Sequence, residues 1–181
     1  NDPRPGWGVT LRGERLLTGE SFGQFRQLTA PPETPRGLLA GVAGHIQHLN
    51  DNGMGDGAGT RWALTADLNY QHDGFSTLVA AMMRGAEDLN EKMSVEPENM
   101  YGFTGLAGWY VADDVELFAR YEWGTTSDDD HPDLNVATVG FNYYFLGQAL
   151  KFTTDFSVAF DGIGPAFDRS DDGLLRTVVE G

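Results

Sequence analysis

Trp62-Ala-Leu-Thr-Ala-Asp-Leu-Asn-Tyr70 is the stretch whose reading decides the fold. Taken in steps of two, one face reads Trp62, Leu64, Ala66, Leu68, Tyr70 and the other Ala63, Thr65, Asp67, Asn69. Successive side chains of a strand point to opposite sides, so this is a strand with one apolar and one polar face. A helix would bring Trp62, Thr65, Ala66 and Asn69 together, which is not an apolar stripe. The pattern recurs along the chain. In 115–123, Val115, Leu117, Ala119, Tyr121 and Trp123 alternate with Glu116, Phe118, Arg120 and Glu122. In 137–145, Ala137, Val139, Phe141, Tyr143 and Phe145 alternate with more polar neighbours, as do Leu150, Phe152, Phe156, Val158 and Phe160 in 150–160. Residues 101–111 repeat the pattern more weakly. Residues 36–49 and 75–84 read as strands of ambiguous facing, with further strands expected at 7–17 and 173–179. No stretch reads as an amphipathic helix.

The connectors carry the architecture. Long links at 50–60, 85–99, 124–134 and 161–173 alternate with short turns at 71–74, 112–114 and 146–149. Antiparallel neighbours then place the long links at one end and the short turns at the other. The expectation is an all-β fold, an antiparallel up-and-down transmembrane β-barrel of eight or nine visible strands in a single domain spanning 1–181.

Composition removes several alternatives. The chain has 181 residues, with 27 acidic and 12 basic side chains and a formal charge of −15. Such a polyanion is repelled by phosphate backbones, which argues against nucleic acid as a partner. There is no cysteine, so disulfide scaffolds, cysteine zinc sites and thiol nucleophiles are excluded. No apolar run is long enough for a transmembrane helix.

In a soluble sandwich or ligand-carrying barrel the apolar face packs inward; in a membrane barrel it meets lipid. Aromatic placement favours lipid. Trp62, Tyr101, Tyr121, Trp123 and Phe160 fall near the long-link end, while Tyr70, Phe75, Trp109, Tyr143 and Phe145 fall near the short-turn end. Smaller residues such as Leu64, Ala66, Leu117 and Val139 lie between. That predicts two aromatic girdles, with Trp62, Tyr70, Trp109, Tyr121, Trp123 and Tyr143 as their lipid-facing members. The opposite face then lines a polar lumen through Asp67, Asn69, Glu116, Arg120, Glu122, Lys151 and Asp155.

Five stretches resemble the phosphate-selective porin family of the O and P type, in its C-terminal half. They are Gly23-Gln-Phe-Arg-Gln-Leu-Thr29, Gly37-Leu-Leu-Ala-Gly-Val-Ala-Gly-His45, Thr65-Ala-Asp-Leu-Asn-Tyr70, Leu117-Phe-Ala-Arg-Tyr-Glu122 and Val139-Gly-Phe-Asn-Tyr-Tyr-Phe145 followed by Lys151. The resemblance covers roughly residues 20–160. It implies a trimeric porin in the outer membrane of a Gram-negative-type envelope, in contact with lipid and lipopolysaccharide, through which ions and small hydrophilic solutes diffuse passively. Members selective for anions line the pore with Lys and Arg. Here Asp67, Glu116, Glu122 and Asp155 face Arg120 and Lys151, a mildly acidic set that favours cations. The family's last strand ends in an aromatic residue, whereas this chain ends Arg176-Thr-Val-Val-Glu-Gly181.

Nine strands are an odd number, and bacterial single-chain barrels use even ones, so the expectation is a fragment of a barrel of roughly 16 strands. The alternative drops 7–17 and closes 36–179 into an eight-stranded anchor or adhesin; a second alternative is a soluble ligand-binding barrel.

Other candidates weigh less. Glu87, Asp88, Glu91, Glu96 and Glu98, with Asp128, Asp129, Asp130 and Asp133, are oxygen-rich but match no calcium-loop spacing, and read as a solvated rim. His45 and His48 fall on opposite strand faces, and His72 and His131 lie apart, so neither metal nor cofactor is expected. Glu116, Arg120 and Glu122 share a face without a nucleophile or oxyanion turn, which reads as a charge ladder in a lumen and not as an enzyme. Gly53-Met-Gly-Asp-Gly57 mimics a phosphate loop but precedes no helix.

Overall fold

The computed structural model of the protein describes residues 4–50, 59–88, 99–127, 133–160 and 174–180. They form one antiparallel up-and-down sheet in which each strand pairs with the next in sequence: β1 (Arg4–Thr18), β2 (Gly37–Asn50), β3 (Gly59–His72), β4 (Phe75–Asp88), β5 (Met100–Ala112), β6 (Val115–Thr126), β7 (Leu134–Tyr144), β8 (Lys151–Ala159) and β9 (Leu174–Glu180). The helical content of the described residues is a single 3-10 segment, Phe22–Arg26. The strands run a little further than the alternation indicates, because the ladder carries on into residues without a regular pattern.

Register settles the two ambiguous strands. β3 and β4 pair without a break from Gly59↔Asp88 to His72↔Phe75. The hairpin turns on Asp73 and Gly74, at φ 41° and 80°. Both are positive, the twist of a primed two-residue turn, which suits Asp-Gly. β2 pairs Gly41 with Asp67 and Val42 with Ala66, so its small residues alternate in step with β3.

β1 takes the free side of β2 from Trp7↔His48 to Leu16↔Leu39. This corrects the eight-strand alternative: with that side occupied, β2 cannot close on β9. Among the described residues β1 pairs only with β2 and β9 only with β8, so the sheet is open.

The two faces differ in exposure in the sense opposite to a water-soluble protein. Glu116 is 4% exposed and its neighbour Leu117 48%; Thr138 is 2% and Val139 57%. For Glu116 part of that burial is cover, since Thr29 of the β1–β2 connection lies against it. The accessible surface of 12223 Å² compares with about 8,600 Å² for a compact monomer of this mass. Among the described residues the buried apolar set is small: Ala30, Leu39, Leu49, Tyr110 and Tyr144. The backbone ladder organises the sheet, and no apolar core does.

Candidate functional site

Residues 19–36 join β1 to β2 at the short-turn end, since Thr18 pairs with Leu38 and Leu38 with Tyr70. They do not form a short turn. They fold onto the polar face and are tied to it at several points. Gln71 Nε2 donates to the Gln27 carbonyl at 2.7 Å. The amides of Asp73 and Gly74 donate to the carbonyls of Thr34 and Pro31 at 2.9 and 3.2 Å. The Glu33 amide donates to Asp73 Oδ1 at 3.0 Å. Gly37 makes room at the base: a Cβ there would stand 2.5 Å from Gln24 Nε2 and 2.7 Å from Phe25 Cζ.

The tightest attachment is to Glu116. Strand register lines up Tyr110, Glu116, Asn142 and Thr153 across β5 to β8 on the polar face. Thr29 Oγ1 donates to Glu116 Oε1 at 2.9 Å. Asn142 Nδ2 and the Tyr144 hydroxyl donate to Oε2 at 2.8 and 2.5 Å. Thr153 Oγ1 donates to Asn142 Oδ1 at 2.7 Å, fixing the amide. The Tyr110 hydroxyl lies 3.1 Å from Thr29 Oγ1, and the Tyr110 and Tyr144 rings stack at 5.5 Å. Three donors on a buried carboxylate offset its desolvation. Gly108 leaves the space: a Cβ there would stand 2.5 Å from Glu116 Oε1.

Glu116 is therefore not the solvated rung of a charge ladder that the alternation suggests; it is a buried hub under residues 19–36. The rest of the expected ladder stays open to solvent, with Arg120 Nε and Glu122 Oε2 3.0 Å apart. On the same face, toward the β1 edge, Arg12 reaches from β1 across Gly41 to β3, where Nη1 and Nη2 donate to Asp67 Oδ2 and Oδ1 at 2.8 and 3.0 Å. Its Nε donates to Glu14 Oε1 at 2.9 Å. A Cβ at Gly41 would stand 2.5 Å from Arg12 Nη2, so this pair also depends on a glycine.

Two cavities lie beside the inserted segment. One of about 380 Å³ sits between it and Gln71. The other, about 430 Å³, lies between Gln27–Thr29 and the polar face of β5 to β8. Asn69 Oδ1 and Ser76 Oγ are buried with no protein partner, and Ser76 Oγ flanks Gly108 beside Glu116. Such atoms take bound water or solute.

All seven residues expected to line a lumen share the polar face: Asp67 and Asn69 on β3, Glu116, Arg120 and Glu122 on β6, Lys151 and Asp155 on β8. Asp67, Asn69 and Glu116 are engaged or buried, not open. By the same alternation Arg12, Glu14, Arg61 and Arg84 join this face. Among the side chains the structure describes, that face then carries five basic (Arg12, Arg61, Arg84, Arg120, Lys151) and five acidic (Glu14, Asp67, Glu116, Glu122, Asp155) residues.

The six aromatics expected on the outer face lie on the opposite side. Trp62 covers Gly85, with Tyr121 and Trp123 at the same end; Tyr70, Trp109 and Tyr143 sit at the short-turn end. Trp62 and Tyr70 are half-buried, Trp109 is 63% exposed, and Tyr121 donates to Asn135 Oδ1 at 2.9 Å. Tyr143 meets Phe145 edge-on at 4.7 Å.

His45 faces Thr10, with Nδ1 2.7 Å from its hydroxyl, whereas His48 stacks on Trp7 on the other face. Among the described residues no group of three potential metal ligands assembles. The acidic side chains of 87–98 and 128–130, His131, and Gly53-Met-Gly-Asp-Gly57 lie outside what the structure describes.

Sequence reading missed Thr29, Gln71, Ser76, Tyr110, Asn142 and Tyr144 as parts of one site. One signal was present: Tyr110 and Tyr144, with Phe118, are large aromatics on the face that carries most of the polar side chains. No family model, curated protein or solved structure matches the chain.

Proposed function

We propose that the chain is a run of strands from an outer-membrane β-barrel channel, with its apolar face in lipid and its polar face lining a wet lumen. The observation that carries this is the inversion between neighbours, Glu116 at 4% against Leu117 at 48% and Thr138 at 2% against Val139 at 57%. An exposed band of Leu, Val, Phe and Trp costs about 1.5–3 kcal/mol per large side chain in water and nothing in lipid. The aromatic bands support the same placement. Trp62 and Tyr70 are eight residues apart, about 26 Å along the strand and about 20 Å after barrel tilt, close to an apolar band about 25 Å tall.

The open sheet supports a larger barrel. Eight antiparallel steps leave β1 and β9 running the same way, so an all-antiparallel closure adds an odd number of strands. About 16 in total, a trimer, and contact with lipopolysaccharide follow from the resemblance to phosphate-selective porins. Residues 19–36 narrow the lumen at the short-turn end. With charges of both signs interspersed on the described polar face, neither phosphate selectivity nor strong cation selectivity is favoured; ions and small hydrophilic solutes pass by diffusion.

The test is reconstitution of the full-length protein in planar bilayers. Stepwise conductance that scales with salt supports the channel. Stable folding in plain buffer, with no detergent and no conductance on addition to bilayers, overturns it.

A further inference from the structure

The cavity of about 430 Å³ differs in chemistry from the rest of the polar face. It falls within the range of about 300–1,000 Å³ typical of small-molecule pockets. Three of its linings are apolar: Leu28 from the inserted segment, Leu106 from β5 and Phe118 from β6. Leu28 is 47% exposed, so it presents its side chain to the space and is not packed into the sheet. Its charged linings are Arg120 and Lys151 against Glu116 and Asp155, two of each sign. Glu116 already accepts three hydrogen bonds and is 4% exposed, which leaves Asp155 as the half-buried acid toward a solute. Asp155 also stands opposite Arg176 in the β8–β9 register.

On the channel reading, we infer that this cavity is a subsite for small zwitterions with an apolar body, of which apolar α-amino acids are the chemical class. A singly charged solute can use only the wall charges of opposite sign, whereas one carrying both charges sets its ammonium toward Asp155 and its carboxylate toward Arg120 and Lys151. An apolar body on Leu28, Leu106 and Phe118 removes surface from water that a purely hydrophilic solute leaves wet. The subsite lies where residues 19–36 narrow the lumen, so a bound solute obstructs ion flow there.

The test is block of single-channel current through the full-length protein in planar bilayers by four probes: L-phenylalanine, glycine, 3-phenylpropionate and phenethylamine. L-phenylalanine is expected to half-block at a concentration about tenfold below glycine, which lacks the apolar contact, and about tenfold below either singly charged analogue, which lacks one charged contact. Leu28→Ser lies on an exposed position outside the strands and is expected to bring L-phenylalanine to within about twofold of glycine. Channels that open normally but are blocked equally by glycine and L-phenylalanine, or best by one of the singly charged analogues, overturn the subsite and leave the channel standing. A protein that opens no channels overturns both.

Discussion

The two ends of the polar face use charge differently. At the short-turn end Glu116 is sealed beneath residues 19–36 with every oxygen engaged. Toward the long-link end Arg61 and Arg84 are exposed, and Arg120 pairs with Glu122 in the open. A carboxylate of the first kind holds structure together and is costly to remove. One of the second kind shapes the potential of a solvated surface and contributes little to stability. Position on the correct face of a strand does not distinguish them; what covers that height of the sheet does.

The contrast is broken most sharply by Glu116→Ala. It removes a partner from Thr29, Asn142 and Tyr144 at once, a loss of roughly 3–5 kcal/mol, the scale of taking one partner out of a buried charged cluster. Urea unfolding in detergent should show it, and limited proteolysis should cut within residues 19–36 that resist in the parent. Unchanged stability would mean that the hub does not hold the segment.

Gly108→Ala acts on the same hub through space. The added methyl, 2.5 Å from Glu116 Oε1, displaces the carboxylate at a cost of about 1–3 kcal/mol. The same change at Gly44, where a Cβ meets nothing within 4 Å, should be neutral to slightly stabilising in the same unfolding measurement.

Thr29→Val keeps the shape of the segment and removes one hydroxyl, for about 1–2 kcal/mol. It should raise open-channel conductance by loosening the segment without moving the unfolding of the sheet as far as Glu116→Ala. At the other end, Glu122→Ala should cost only about 0.2–1 kcal/mol, less at high salt, and shift reversal potentials toward anions. If Glu122→Ala destabilises as much as Glu116→Ala, the distinction between the two ends fails.

The strands were legible because β3, β6, β7 and β8 alternate strictly, and Asp73-Gly74 marks its turn by chemistry that few other pairs satisfy. β2 and β4 were harder. Gly and Ala dominate one, and Leu78-Val-Ala-Ala-Met-Met83 puts apolar residues on both faces of the other. Register with β3 decides both, and register is a property of the pair. The site was legible only in part. Asp67, Arg120 and Lys151 lie on the face that alternation assigns them, but the path of residues 19–36 has no periodicity to read. It is set by contacts such as Thr29 with Glu116, 87 residues away in sequence.

The central claim is that the apolar face meets lipid and the polar face meets water, and the chain has no cysteine to complicate a direct test. Single cysteines at 117, 119, 139 and 141, and at 120, 122, 153 and 155, would be exposed in intact membranes to a charged, membrane-impermeant thiol reagent. The account predicts labelling of the second set and protection of the first. Labelling of the first set with protection of the second would contradict it.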